Sequence, residues 1–598
     1  MQPDAAEIAD NKRIQDSIQA AQAERQDDPE LADEKESKSI ADTVAADTVS
    51  LDSAEENREL ENKLGNFAPA GKGSEERYVL ENEHVKYSFS SKGGAIKRAE
   101  VKNFVTHDSM PLVLMSEENS RMNIHFDHIG KRINTEELYF KGKREGNTMK
   151  FTTRGSSGER LTLVYSLGKD ARMMGFSVIT RNMPSDNMFL DVDLKAPRTE
   201  KSAEEQRRYS NIFYRTKSEK VDYLSTFSDE DEEVIEKPLH WFSFKNQFFA
   251  LTFIQDDSFA PNSKFSFSKA ESDDFTKNFS ASVPLPPGED KNMQIFSGST
   301  RYNLLKQYDM DLEDQIDLGW ALFAWTNKIL VIPVFDFLSS FNIHIGIVIL
   351  ILTLFIKTIL FPITYKTYLS SAKQRAIKPE MEEINKKYEG KSKEDQMGKQ
   401  KEIMSLYQKT GVNPFAGCIP MLIQLPILIA MFRFFPASID LRQKSFLWAD
   451  DLSSYDTIFD LPFNIPFYGD HVSGLTLLMA VSVFFTTKYN MQNASMGGGN
   501  PQAKQIQAMM LYVMPVMLLV WFNNFSSGLS LYYFTANITT LGQQFVIRRF
   551  IIDEDKIRSK IEKNKKKPKK QSKFQQKLEE MQKQQGVKQN RKMRRNNK

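Results

Sequence analysis

Residues 343–363 read I-H-I-G-I-V-I-L-I-L-T-L-F-I-K-T-I-L-F-P-I, an apolar run interrupted by a single cation, Lys357. About 20 apolar residues in a helix cross the hydrocarbon core of a bilayer, so the stretch predicts a transmembrane span. A lysine at that depth costs roughly 2.5–3.5 kcal/mol on insertion scales and calls for a reason. Two readings stand. In one, the side chain snorkels toward the basic loop that begins at Lys366, about 13 Å further along a helix. In the other, it faces a water-filled groove between helices and meets polar parts of a substrate.

Working outward, four more apolar segments follow, at about 417–434, 472–487, 506–522 and 528–547. Pro420, Pro426 and Pro515 fall inside them, as spans allow where neighbours satisfy the freed carbonyls. Several are short, which implies tilt or local thinning of the bilayer. Counting bases in the connections sets the orientation. The loop 364–414 carries 11 Lys and Arg, whereas 435–471 carries only Arg442 and Lys444. Basic loops belong in the cytoplasm, so the five spans run out-in, in-out, out-in, in-out, out-in. Ahead of them, 319–341 is rich in Trp and Phe and reads as an amphipathic helix in the headgroup region, bent or broken at Pro333, with a short span as the lesser alternative.

The amino-terminal half is of another kind. Period-two alternation marks V-K-Y-S-F-S (85–90), M-N-I-H-F (122–126) and F-L-D-V-D-L (189–194) as strands with one wet face. Turn formers such as Lys92–Gly93–Gly94 separate them, and a β-sandwich without chemistry of its own is expected over 76–305. The near-zero net charge of +2 hides opposed ends. Residues 1–60 hold 17 acids against 6 bases, and 556–598 hold 18 bases against 3 acids. Residues 1–75 read as an acidic, disordered or loosely helical tether. An exported domain of this size needs an export signal, so a signal-anchor helix ahead of Met1 is expected.

Chemistry-bearing motifs are scarce. There is no phosphate-binding G-x-x-x-x-G-K-[ST] and no H-E-x-x-H. His125 and His128 lie three apart on a strand and point to opposite faces, which disfavours a shared metal. No nucleophile–base pair is evident, so neither catalytic residues, metal nor cofactor is expected. The single cysteine, Cys418, excludes an internal disulfide and reads as a small buried thiol.

The apolar half carries an ordered signature: F-I-K-T-I-L-F-P-I-T (355–364), S-A-K (371–373), Lys378–Pro379, G-V-N-P (411–414), G-C-I-P-M-L-I-Q-L-P-I (417–427), F-L-W-A-D-D-L-S (446–453), Met514–Pro515, S-G-L-S-L-Y-Y (527–533), Asn537 and Gln543–Gln544. Together these resemble the YidC/Oxa/Alb family of membrane protein insertases, in its Gram-negative form with a large periplasmic domain. Two departures are visible. Lysine stands at 357 where members often have arginine, and the family's first membrane helix is absent from this chain.

The resemblance implies a membrane protein with a five-helix insertase core over 342–552, a cytoplasmic hairpin at 365–414, an interfacial helix at 317–341, and a sixth, amino-terminal helix missing here. It implies an inner-membrane, multi-pass protein with the β domain periplasmic and a basic cytoplasmic tail at 553–598. Insertion, folding and assembly of integral membrane proteins, alone or with the Sec translocon, would use a hydrophilic groove open to cytoplasm and lipid. Lys357, Gln424 and Asn537 are the groove candidates; for the last two a helix–helix hydrogen bond is the plain alternative. Lys565, Lys566, Lys567, Arg591, Lys592, Arg594 and Arg595 suit ribosomal RNA, with anionic lipid as the other partner of the same chemistry. Nascent membrane proteins, translocon, ribosome and lipid are the implied partners. A solute or ion transporter with Lys357 as counter-charge, and a sugar-binding or mutarotase-like β domain, are the rival readings.

Overall fold

The computed structural model describes residues 48–169, 171–183, 187–225, 228–388, 393–412, 419–493 and 501–565. The chain divides into two compact units. The first takes in Met1–Val348, Ile429–Gly474 and Asn523–Leu529; the second takes in Ile349–Leu428, Leu475–Phe522 and Ser530–Lys598.

The first unit is built on antiparallel sheets. Nine strands and six strands form the two large sheets, and a further sheet of four runs from Arg77–Glu81 to Pro111–Met115. Alternation drives the burial: in Arg160–Leu167 the side chains of Leu161, Leu163, Tyr165 and Leu167 are buried while Arg160 and Ser166 are exposed. Both large sheets contribute to one core, with Phe176 and Phe242 from one and Phe126 and Phe279 from the other. His125 meets Asp191 at 2.5 Å, and buried His128 meets Glu159 at 3.2 Å. The two histidines thus serve separate carboxylates, as their opposite facing requires.

The acidic tether ends earlier than its composition suggests. Residues 1–47 lie outside the described residues, but Thr48–Leu64 is helical and Gly65–Gly71 forms a 3-10 turn. Leu64, Phe67 and Ala70 are buried in the sandwich core, with Phe67 edge-on to Phe126 at 5.6 Å. Burial of these apolar groups outweighs the polar composition around them.

The loop at 435–471 belongs to this unit and is bolted into the sandwich. Arg442 donates through Nε to both oxygens of Glu200 at 2.9 Å and through its terminal nitrogen to the carbonyls of Val105 and Thr199. Gln247 donates to the Pro436 carbonyl at 2.9 Å. Gly528 fits because a Cβ there would sit 2.9 Å from the Leu452 carbonyl oxygen. The loop also carries a two-stranded hairpin, Phe459–Ile465 with Gly469–Val472, that sequence reasoning did not foresee. Pro462 and Pro466 argue against strands, but in a two-stranded ribbon every strand has a free edge that tolerates them.

Besides the segment at 319–341, five apolar helices are present among the described residues: Ile345–Ala376, Ile419–Ala437, Gly474–Asn493, residues 501–522, and Ser527–Val546. The interfacial segment is an unbroken helix of its own at Leu322–Ser339, long and apolar enough by composition to span. It is not broken at Pro333: a widened π turn, Asn327–Val331, precedes the proline. Met509–Val513 likewise precedes Pro515. A proline ring crowds the carbonyl four residues earlier, and widening the preceding turn relieves that clash while keeping the helix intact. One side of Leu322–Ser339 packs inward through Phe323, Val331, Ile332 and Phe335, while Trp325, Ile329 and Phe337 are exposed.

In the second unit the first span runs on to Ala376, past the hairpin boundary expected at 365, because Thr364–Ala376 contains no helix breaker. The hairpin proper comprises Lys378–Lys387 and Lys393–Thr410, and residues 389–392 between them lie outside the described residues. Glu554–Lys565 packs with it through Met381, Leu406, Ile557 and Ile561.

Candidate functional site

Helix Ile345–Ala376 sorts its side chains by the helical period. Val348, Ile349, Leu352, Thr353, Ile356, Lys357 and Leu360 are buried, whereas Ile347, Ile351, Leu354, Phe355 and Ile359 are exposed. The exposed face is apolar apart from Thr358, whose hydroxyl is satisfied within the helix by donating to the Leu354 carbonyl at 2.7 Å. Lys357 lies on the packed face and is 6% exposed. No ion pair or hydrogen bond from its ammonium occurs among the described residues. Thr353, four residues earlier on the same face, is satisfied internally by donating to the Ile349 carbonyl at 2.7 Å.

The turn holding Lys357 is tied to helix Ser527–Val546. Gln543 donates through Nε2 to the Lys357 carbonyl at 3.0 Å. Since a backbone carbonyl can only accept, the amide orientation is fixed by chemistry. Its Oε1 is buried without a partner. Gln543 was visible in the sequence only as part of the Gln543–Gln544 pair and had no role assigned to it.

A second polar feature runs between helices Gly474–Asn493 and Ser527–Val546. Thr476 and Ser530 share a hydroxyl–hydroxyl bond at 3.0 Å, Asn537 donates to Ser482 at 3.0 Å, and Gln544 donates to Asn490 at 2.9 Å. Ser530, Asn537 and Gln544 recur every seven residues and so fall on one helix face. The signal was present in the sequence as that spacing. Each such bond contributes about 0.6 kcal/mol in a membrane, up to ~1.7.

The structure therefore places the three groove candidates differently. Lys357 is inward-facing and unpaired; Asn537 is half-buried with its amide engaged by Ser482; Gln424 is half-buried on Ile419–Ala437 without a hydrogen bond among the described residues. Of the basic cluster, Lys566, Lys567, Arg591, Lys592, Arg594 and Arg595 lie outside the described residues. Lys565 is engaged by Glu380 at 2.6 Å and Glu562 at 2.8 Å, and these partners hold its ammonium above the ordinary value, Glu380 most strongly. No cluster of three or more metal-ligating side chains occurs among the described residues.

Burial creates a second group of perturbed residues, in the first unit. Ser202 caps the helix Ala203–Tyr209, its Oγ accepting from the Glu205 backbone N–H at 3.2 Å. The Glu205 carboxyl, 6% exposed with Oε1 unpartnered, is pushed up to about 8 by desolvation, against the nearby Arg208. Glu200 is also raised by burial, although Arg442 opposes the shift, and buried Asp451 is raised in the same way.

Comparison with known proteins covers nearly the whole chain. The family described as 60Kd inner membrane protein matches residues 337–556, and the YidC periplasmic domain matches 77–332. The membrane protein insertase YidC of Parabacteroides distasonis is 37% identical over 597 residues, covering 94% of this chain and 91% of that one. That of Porphyromonas gingivalis is 37% identical, covering 84% of each. That of Bacteroides fragilis is 35% identical, covering 94% and 90%. An active YidC insertase crystal structure with the first transmembrane domain resolved is 18% identical, with a TM-score of 0.32, covering 80% of this chain and 94% of that one.

Proposed function

This chain belongs to the YidC family of membrane protein insertases, and on that premise we propose that it passes client segments into the bilayer along a polar path beside Lys357. The supporting observation is the lysine itself: packed inward on an apolar helix, with no counter-charge among the described residues. An ammonium out of water is strongly attractive to a carboxylate, because the effective dielectric is low. Lys357 would draw acidic residues of a client's outer tail partway into the membrane. Gln543 would keep the lysine-bearing turn fixed by holding its carbonyl.

The free energies suit a process without nucleotide. A client helix of about 20 apolar residues gains on the order of 6–12 kcal/mol on insertion scales. One or two tail charges cost about 2.5–3.5 kcal/mol apiece at the bilayer centre. Short tails therefore cross with energy to spare, and long, highly charged tails exceed the gain and call for the Sec translocon.

In this reading the β domain is periplasmic, the hairpin Lys378–Thr410 and the tail 553–598 are cytoplasmic, and the tail meets ribosomal RNA or anionic lipid while the hairpin receives the nascent chain. Chaperoning of folding and assembly follows from the same path. Gln424 and Asn537 line it in secondary roles. The test is insertion of a single-span client with an acidic outer tail into vesicles holding the purified protein. Lys357→Arg should insert at the unaltered rate and Lys357→Glu should lose insertion. Equal insertion by the Glu variant would remove the charge from the mechanism.

A further inference from the structure

The hairpin Phe459–Val472 presents an apolar surface that none of the described residues of the first unit covers. Ile458, Phe459 and Phe463 are each more than half exposed, and Phe467 at the tip is 92% exposed. Along the first strand the apolar residues Phe459, Leu461, Phe463 and Ile465 alternate with Asp460, Pro462 and Asn464. The ribbon is thus amphipathic, with one oily and one wet side. Phe467 adopts a left-handed backbone, φ 68°, and Tyr468 donates to the Ile465 carbonyl to close the tip. An aromatic residue rarely occupies that region, so the tip ring is held out at some backbone cost.

The base of the hairpin is fixed to the ends of two apolar helices. Asn523, directly after Phe522, donates to the carbonyls of Tyr468 at 2.9 Å and His471 at 2.8 Å and accepts from Ser473 N–H at 2.9 Å. His471 stacks on Tyr455 at 3.9 Å. Asp456 accepts from the N–H of Gly474 at 2.8 Å, at the start of helix Gly474–Asn493, and from the Trp448 indole at 2.7 Å. A carboxylate at a helix N-terminus is favoured by the exposed N–H groups and the helix dipole. A Cβ on Gly474 would lie 2.8 Å from that indole nitrogen, so the approach is close.

Composition selects the occupant. From residue 445 to 487 there is no lysine or arginine, and the hairpin's own charges are Asp460 and Asp470. Phe residues on the oily side, with Tyr468 beside the tip and Trp448 at the start of helix Gly474–Asn493, match the aromatic belt of a membrane–water interface. The ribbon starts where two membrane-crossing helices end, so the headgroup layer is within its reach. We propose that Phe459–Val472 is a lipid-wading hairpin that inserts Phe459, Phe463 and Phe467 into the leaflet on the β-domain side. There it would anchor the rigid first unit at a fixed height over the bilayer.

The proposal rests on the membrane-spanning reading of the helices, and the test separates the two. In a Cys418→Ser background, Phe467→Cys and, separately, Ile351→Cys on the lipid-facing side of the first span are labelled with an environment-sensitive fluorophore. The full chain is reconstituted in phosphatidylcholine nanodiscs. Ile351 should be quenched by lipids spin-labelled deep in the acyl chain. Phe467 should be quenched by shallow labels, at the about 5–10 Å depth of interfacial elements, and resist aqueous iodide. Quenching at Ile351 together with iodide access at Phe467 would overturn the hairpin proposal alone. Protection of Phe467 from both lipid label and iodide would overturn it in favour of a protein partner. Failure at Ile351 would overturn the membrane reading beneath it.

Discussion

Replacing Arg442 by Met tests how the loop after Ile419–Ala437 is held in the sandwich. The guanidinium side chain is 2% exposed and its partner Glu200 is 8% exposed. Removing one member of a buried pair typically costs 3–5 kcal/mol, because the other charge is stranded. Here the cost has a ceiling, since Glu200 can escape by taking a proton. Two and a half pH units separate neutrality from the ordinary glutamate value of 4.5. At ~1.4 kcal/mol per unit, the deficit at pH 7 is therefore limited to about 3.5 kcal/mol. It should shrink by ~1.4 kcal/mol for each unit of acidification toward pH 5. The orphaned carbonyls of Val105 and Thr199 add a smaller, pH-independent remainder. Hydrogen exchange of the amides around Glu200, on the full chain in nanodiscs, reads the opening free energy directly. Arg442→Met with Glu200→Gln should recover most of the loss at pH 7. A deficit below ~1 kcal/mol, or one indifferent to pH, would refute the reasoning.

Three further outcomes follow from other contacts. Glu205, held near 8 against an ordinary 4.5, keeps its proton in the folded state, so its contribution is fully present below pH 4.5 and is lost as pH rises through about 8. Exchange protection of Ala203–Tyr209 should fall between pH 5 and 9, and Glu205→Gln should flatten that slope. Asn537→Ala breaks one interhelical bond and should destabilise the second unit by ~0.6–1.7 kcal/mol, read by thermal unfolding in detergent; no shift, or one far above that range, would contradict the assignment. Lys565→Glu sets a third carboxylate beside Glu380 and Glu562, and should release helix Glu554–Lys565 so that limited proteolysis cuts before it sooner than in the unaltered chain.

The parts that were legible in the sequence are those governed by periodicity. Val85, Tyr87 and Phe89 are buried as their alternation requires, and the apolar segments are helices. The parts that escaped depend on contacts between distant residues. Phe67 looked like tether because it follows the acidic residues 1–60 in a short Gly- and Ala-rich stretch, yet it packs edge-on to Phe126. Hairpin Phe459–Val472 was hidden by two prolines whose prohibition applies only inside a sheet. The π turn before Pro333 leaves no compositional trace, so a break was among the expectations where the helix in fact continues. At the candidate site, Lys357 stood out because a cation is expensive in apolar surroundings. Gln543 did not, since an amide near a helix end is cheap and its use depends on which carbonyl arrives beside it.

The three rungs Thr476–Ser530, Ser482–Asn537 and Asn490–Gln544 join two helices running in the same direction, at nearly constant sequence offset. Sliding either helix by a single residue, about 1.5 Å of rise and 100° of turn, would unfasten all three at once. The pair therefore resists shear along its length as one plank, by about 2 kcal/mol for the three bonds together. Motion within the second unit is thereby favoured between this pair and its other helices rather than within the pair.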